Sequence, residues 1–134
     1  MKRTITLFLL FFTYLNCYSQ DWELVATGNN GDKYYMKREK VNSYGNPKVW
    51  IKTTYKSTYY YSGNKKIPIT NATSMTLREF DCSNRRFMLL AGTTYNSKGN
   101  TVESFNTEIS DWVYVSPESI GEALLNFVCN NISQ

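Results

Sequence analysis

Apolar and polar positions alternate through most of this chain. "WELVATG" at 22–28 sets Trp22, Leu24 and Ala26 against Glu23, Val25 and Thr27, a strand pattern. "DKYYMKREKV" at 32–41 reads as a second strand, closed off by the polar run "NSYGNP". "KVWIKTTYKS" at 48–57 is the clearest alternation, with Val49, Ile51 and Thr53 on one face and Trp50, Lys52 and Thr54 on the other. "SMTLREFDC" at 74–82 and the apolar run "RRFMLLAGTTY" at 85–95 flank a Ser-Asn corner, and the second of them reads as a central strand. "YNSKGN" is a turn in which Gly99 supplies positive φ, and "TVESF" at 101–105 completes that hairpin.

The period changes near the end. Ser116, Pro117 and Glu118 read as a helix start, with a capping hydroxyl, a proline in the first turn and an acid at the positive dipole end. Ile120, Leu124, Phe127 and Val128 then recur at helical spacing for about three turns, ending near Cys129. A helix this short is marginal alone in water and needs a surface to dock on. The fold class expected is therefore α+β: a small antiparallel sheet of about six strands in meander order, with one C-terminal helix packed on it.

The first residues have a different character. Lys2 and Arg3 precede an apolar run from Ile5 to Leu15, and Cys17 and Ser19 stand at −3 and −1 for cleavage before Gln20. Residues 1–19 read as a secretory signal peptide and residues 20–134 as one domain. Tyr14 and Asn16 fit poorly before a lipidated Cys17, so the expectation is a secreted or periplasmic protein of a bacterial envelope, without a lipid anchor or a transmembrane segment in the mature chain. Cleavage removes Cys17, and Cys82 and Cys129 remain. Two cysteines in an exported chain are most simply a disulfide. Two separate buried thiols are the competing arrangement.

Composition narrows the chemistry further. Of 15 basic residues, 13 remain once Lys2 and Arg3 are gone, against 11 acidic ones, a net charge of +2 that does not point to nucleic acid. The chain has no histidine, so the commonest general base is missing and two distant cysteines cannot complete a metal site. No phosphate loop or dinucleotide fingerprint appears, and no cofactor is expected. Glu103, Glu108, Asp111 and Glu118 are the carboxylates from which a catalytic pair would have to be drawn. They read as solvated turn and strand-face acids, and the chain as a non-enzyme. The three tryptophans, Trp22, Trp50 and Trp112, read as core residues rather than as a carbohydrate platform.

The binding feature is "KSTYYYSGNKK" at 56–66. Successive strand residues point to opposite faces, so Tyr59, Tyr60 and Tyr61 cannot all be buried in a one-sided sheet. Tyrosine offers a large contact area at low entropic cost together with a hydroxyl. With Lys65 and Lys66 beside them, these tyrosines are the candidate protein-binding residues; a tyrosine-rich hairpin held by its own cross-strand packing is the competing reading. At the Ser-Asn corner, Asp81 and Arg85 are read as an ion pair that orders the turn.

"FDCSNRRFMLLAGTTYNSKGNTV", followed by "WVYVSP" and a helix ending in "VC", resembles the surface-adhesin protein E family of bacteria. Phe80, Asp81, Cys82, Arg85, Tyr95, Gly99, Trp112, Pro117, Ser119 and Cys129 carry the likeness, with Trp22, Tyr34, Tyr35, Val49 and Trp50 fitting more loosely. The resemblance implies a C-terminal helix tethered by a Cys82–Cys129 bridge. It also implies binding to a protein partner, a host extracellular-matrix or plasma protein such as vitronectin or laminin. The chain departs from a lipid-anchored member at Cys17. A small periplasmic inhibitor or envelope-maintenance protein is the alternative function, and an exposed edge strand leaves a homodimer open.

Overall fold

A computed structural model of the chain describes residues 22–39, 44–107 and 110–132. The signal-peptide assignment, Cys17, the end of the second strand read at 32–41 and Glu108 fall outside these residues.

Seven strands form one antiparallel sheet: β1 (Glu23–Thr27), β2 (Lys33–Met36), β3 (Lys48–Ser62), β4 (Lys65–Asp81), β5 (Arg86–Tyr95), β6 (Thr101–Asn106) and β7 (Val113–Tyr114). The first six lie side by side in chain order, and β7 pairs with β5 next to β6. The helix α1 (Ile120–Asn131) follows. This is the meander with a terminal helix that the alternation implied. β5 is an interior strand, as its apolar run requires. β7 is too short to show a period, and it forms because Phe87 and Arg86 offer it a free stretch of ladder beyond β6.

The helix covers one face of the sheet. Val49, Ile51 and Thr53 of β3 point towards it, as do Met36 of β2 and Phe80 of β4. Leu124, Leu125, Val128 and Ile132 close the core from above, and Ile120 and Phe127 pack at its margin. A bulge between Leu24 and Ala26 breaks the simple alternation of β1. Through it Val25 reaches the core while Leu24 stays exposed.

None of the tryptophans belongs to this core, contrary to the sequence reading. Trp22 is half-buried and Trp50 is 37 % exposed. Trp50 occupies an even position of β3, and the helix covers the odd positions, so alternation puts its ring on the uncovered face. Trp112 stands just before β7 with the Arg86 guanidinium 4.6 Å from its ring centre.

The helix start also differs from the reading. Ser119, not Ser116, is the N-cap, and its Oγ accepts from the Glu122 backbone N–H at 3.1 Å. Glu118 has φ +59°, outside the helical region, so the chain can enter the helix only after it. Ser116 instead supplies a carbonyl, to which the Ser119 hydroxyl donates at 2.6 Å. Glu122 reaches back to accept from the Glu118 N–H at 2.8 Å, an acid held at the positive end of the helix.

The corner of β4 and β5 holds the helix at both ends. Cys82 is disulfide-bonded to Cys129 in the last helical turn. Arg85 donates to the Glu122 carboxylate in the first turn. The corner is ordered by Asp81, which is 6 % exposed. Its carboxylate accepts from the Asn84 side chain (2.8 Å), the Asn84 backbone (3.1 Å) and Arg86 Nε (2.8 Å). The Asn84 side-chain bond, with help from Arg86, holds the Asp81 carboxyl below the ordinary carboxylate range. The ion pair is thus made by Arg86 rather than Arg85. Arg86 stands directly across from Asp81 in the ladder and shares its face. Arg85 sits in the turn at φ +51°, and its side chain extends to the helix instead.

A candidate protein-binding arm

β3 and β4 are longer than the sequence suggested, 15 and 17 residues, because the tyrosine–lysine segment continues both strands instead of interrupting them. β2 pairs with β3 only at positions 51–54, and β5 pairs with β4 only from Thr73 onward. Among the described residues the hairpin therefore runs on from Ser57 to Thr70 as a two-stranded arm, paired only with itself. Six ladder pairs at about 3.3 Å each carry it roughly 20 Å beyond the sheet. Gly63 and Asn64 make the two-residue turn, and of these only Gly63 has positive φ (+60°), the pattern of a type II′ turn.

An isolated two-stranded ribbon is marginal in water. Here cross-strand pairs supply the missing support on each face. One face carries Tyr60 opposite Ile67 and Thr58 opposite Ile69, all half-buried. The other carries Tyr59 opposite Pro68 and Tyr61 opposite Lys66. Tyr59 and Tyr61, two residues apart on that face, meet edge to face with ring centres 5.6 Å apart. Lys66 reaches diagonally so that its Nζ lies 3.6 Å from the Tyr59 ring centre. Pro68 falls where β4 has one free edge, the place in a sheet that tolerates a residue without an N–H. It also blunts that edge against pairing with other strands.

Tyr59 is 47 % exposed and Tyr61 55 %. Tyr60 turns to the opposite face, and Lys65 lies across from Ser62 beside the turn, on the Tyr60 side. Of the five candidate binding residues, then, Tyr59, Tyr61 and Lys66 share one exposed surface, while Tyr60 and Lys65 belong to the other. Asp81 and Arg85 are at the far end of β4, in the corner that anchors the helix.

At the base of the arm the Tyr59 face opens into a cleft of about 550 Å³. Ser57, Tyr59 and Lys66 line it from the arm, Tyr55 from β3 just before the arm begins, and Asn30 and Asp32 from the turn between β1 and β2. Asp32 is 5 % exposed; its Oδ2 accepts from Asn30 Nδ2 at 2.7 Å, and its buried Oδ1 has no partner among the described residues. Tyr55 and Ser74 are joined through their hydroxyls at 3.2 Å, which fixes the floor where the arm leaves the sheet. Sequence reasoning missed Asn30, Asp32 and Tyr55. They come from turns and strands some twenty-five residues apart, and nothing local to any one of them signals the cleft.

Glu103, Asp111 and Glu118 are exposed on three separate segments: β6, the approach to β7 and the turn before α1. Among the described residues no helix is long and apolar enough to cross a membrane.

The model of the surface-adhesin protein E family matches residues 22–130. No curated protein and no solved structure matches the chain.

Proposed function

The chain belongs to the surface-adhesin protein E family, and on that premise we propose that it is an exported, non-catalytic adhesion module that grips a host matrix or plasma protein with its tyrosine–lysine arm. The observation that carries this reading is the exposed face of Tyr59, Tyr61 and Lys66, already ordered by its own ring contacts. Exposed tyrosines with two χ angles lose little entropy on binding, and rings held by one another lose less still. Residues 1–19 act as the export signal, and residues 20–134 are the secreted unit in this reading. The arm stands away from the helix and its disulfide, so the anchored corner keeps the fold while the arm meets the partner.

The test is binding of the oxidised chain 20–134 to immobilised vitronectin and laminin at physiological salt, with the Tyr59→Ala/Tyr61→Ala variant beside it. Saturable binding weakened at least about 30-fold by the double change, roughly the 2 kcal/mol of a hot spot, supports the assignment. Binding that the variant leaves intact moves the site elsewhere on the molecule. Failure of the unmodified chain to bind either protein refutes the host-matrix reading.

A further inference from the structure

Among the described residues nothing covers the sheet face away from the helix, and its composition is unlike a plain solvated surface. Trp50 and its cross-strand neighbour Leu77 stand there with Met75, Tyr35 and Trp22. A shallow groove of about 290 Å³ crosses this face, close to the lower end of ligand-sized pockets. Trp22, Trp50 and Tyr95 supply its rings, Lys37, Glu39 and Thr93 its polar edge. Lys37 Nζ lies 5.3 Å from the Trp22 ring centre, and Lys52 Nζ lies 5.8 Å from the same ring and 5.6 Å from that of Tyr35. Neither ammonium has a carboxylate within 4 Å among the described residues. Within the groove Lys37 faces one acid, Glu39, and Lys52, beside it against the Trp22 and Tyr35 rings, adds a further positive charge.

We infer that this face is a saccharide site: Trp22, Trp50 and Tyr95 stack the apolar face of a sugar ring, and Lys37 with Lys52 takes the carboxylate of an acidic sugar. Two features favour a sugar over a peptide. Trp50, Met75, Thr93 and Tyr95 line it from interior strands whose backbone groups are already laddered to their neighbours, so an extended peptide cannot add as a strand over that part of the groove. Recognition must then be made by side chains alone, and an open groove of this size takes one flat ring more readily than the deep anchor side chain a protein partner uses. The lysines select the charge: a carboxylate on the ring meets two ammoniums that rest against aromatic faces.

The experiment uses the oxidised chain 20–134 with 3′-sialyllactose as probe and lactose as the same sugar without the acid. Tryptophan fluorescence and ligand-observed saturation-transfer NMR follow the titrations. The expected result is saturable binding of sialyllactose, with lactose weaker by roughly tenfold or more. Trp50→Ala should weaken the acidic sugar about tenfold while the chain stays folded, because the ring lies outside the core under the helix. Lys37→Gln/Lys52→Gln should abolish the preference for sialyllactose over lactose. Tyr59→Ala/Tyr61→Ala should leave sugar binding unchanged, which separates this site from the arm. No saturable response up to about 20 mM, weaker than useful recognition on the affinity scale, overturns the inference. So does binding indifferent to Trp50→Ala. Tighter binding of an acidic peptide than of sialyllactose on the same rings makes the face a protein-docking surface and overturns it as well.

Discussion

Removing the Cys82–Cys129 bridge should cost a large share of the stability of the domain. The two cysteines are 47 residues apart. In the chain-entropy account, closing a loop of that length withdraws about 13–14 cal/mol/K from the unfolded chain, roughly 4 kcal/mol at 25 °C. A domain of this size has about 5–15 kcal/mol in all. At about 2.1 cal/mol/K of unfolding entropy per residue over about 110 residues, each kcal/mol is about 4 °C, so the loss is about 15–20 °C in Tm. The helix should not come away alone. Leu124, Leu125 and Val128 are part of the one core that also holds Met36, Val49, Ile51 and Phe80, so helix and sheet unfold together. The assay is urea and thermal unfolding of the oxidised chain against Cys82→Ala/Cys129→Ala, followed at once by helical circular dichroism and by tryptophan fluorescence. Coincident transitions shifted by the stated amount are expected. A shift under about 1 kcal/mol would refute the reasoning, since the unfolded chain would then already be holding the two ends together. A helical signal lost well before the fluorescence transition would refute the claim of a single core.

Phe80 is fully buried, with its ring 6.1 Å from that of Phe87; Phe80→Ala should cost about 3–5 kcal/mol in urea unfolding, and a loss under 1 kcal/mol would show that the site collapses around the gap. Tyr59→Ala/Tyr61→Ala should change stability by no more than about 0.5 kcal/mol for each exposed ring while partner binding falls; a collapse of the melting temperature would make these rings structural. The Asp81 carboxyl titrates lower in the folded chain than in the unfolded one, because Asn84 and Arg86 bond its charged form. The unfolded chain therefore takes up that proton first, and stability from this group is complete above about pH 4 and is lost as pH falls through the folded value. Asp81→Asn should flatten this part of the acid limb in melting scans from neutral pH to pH 2; an unchanged limb would place the acid sensitivity on other carboxylates.

Much of the architecture was legible in the chain itself. Alternation in β3 and β4, the apolar run of β5 and the helical spacing of Ile120, Leu124 and Val128 point to an antiparallel sheet with one docked helix, because a period of two or of 3.6 puts the apolar residues on one side of only one kind of element. The bridge between Cys82 and Cys129 is the pairing expected of two cysteines in an exported chain. The tyrosine triplet announced exposure by the same rule of alternation. Other features needed the tertiary structure. Whether a half-apolar strand face is core or surface depends on which side the helix lands, and that choice put Val49 and Ile51 inside and left Trp50 outside. Which arginine meets Asp81 was set by ladder register, which places Arg86 opposite the acid, and by the left-handed backbone at Arg85. The arm is visible only in the pairing of neighbours, since β2 and β5 stop before β3 and β4 do. The cleft at its base and the groove across the open face each gather residues far apart in the chain, and only folding brings such residues within reach of a single ligand.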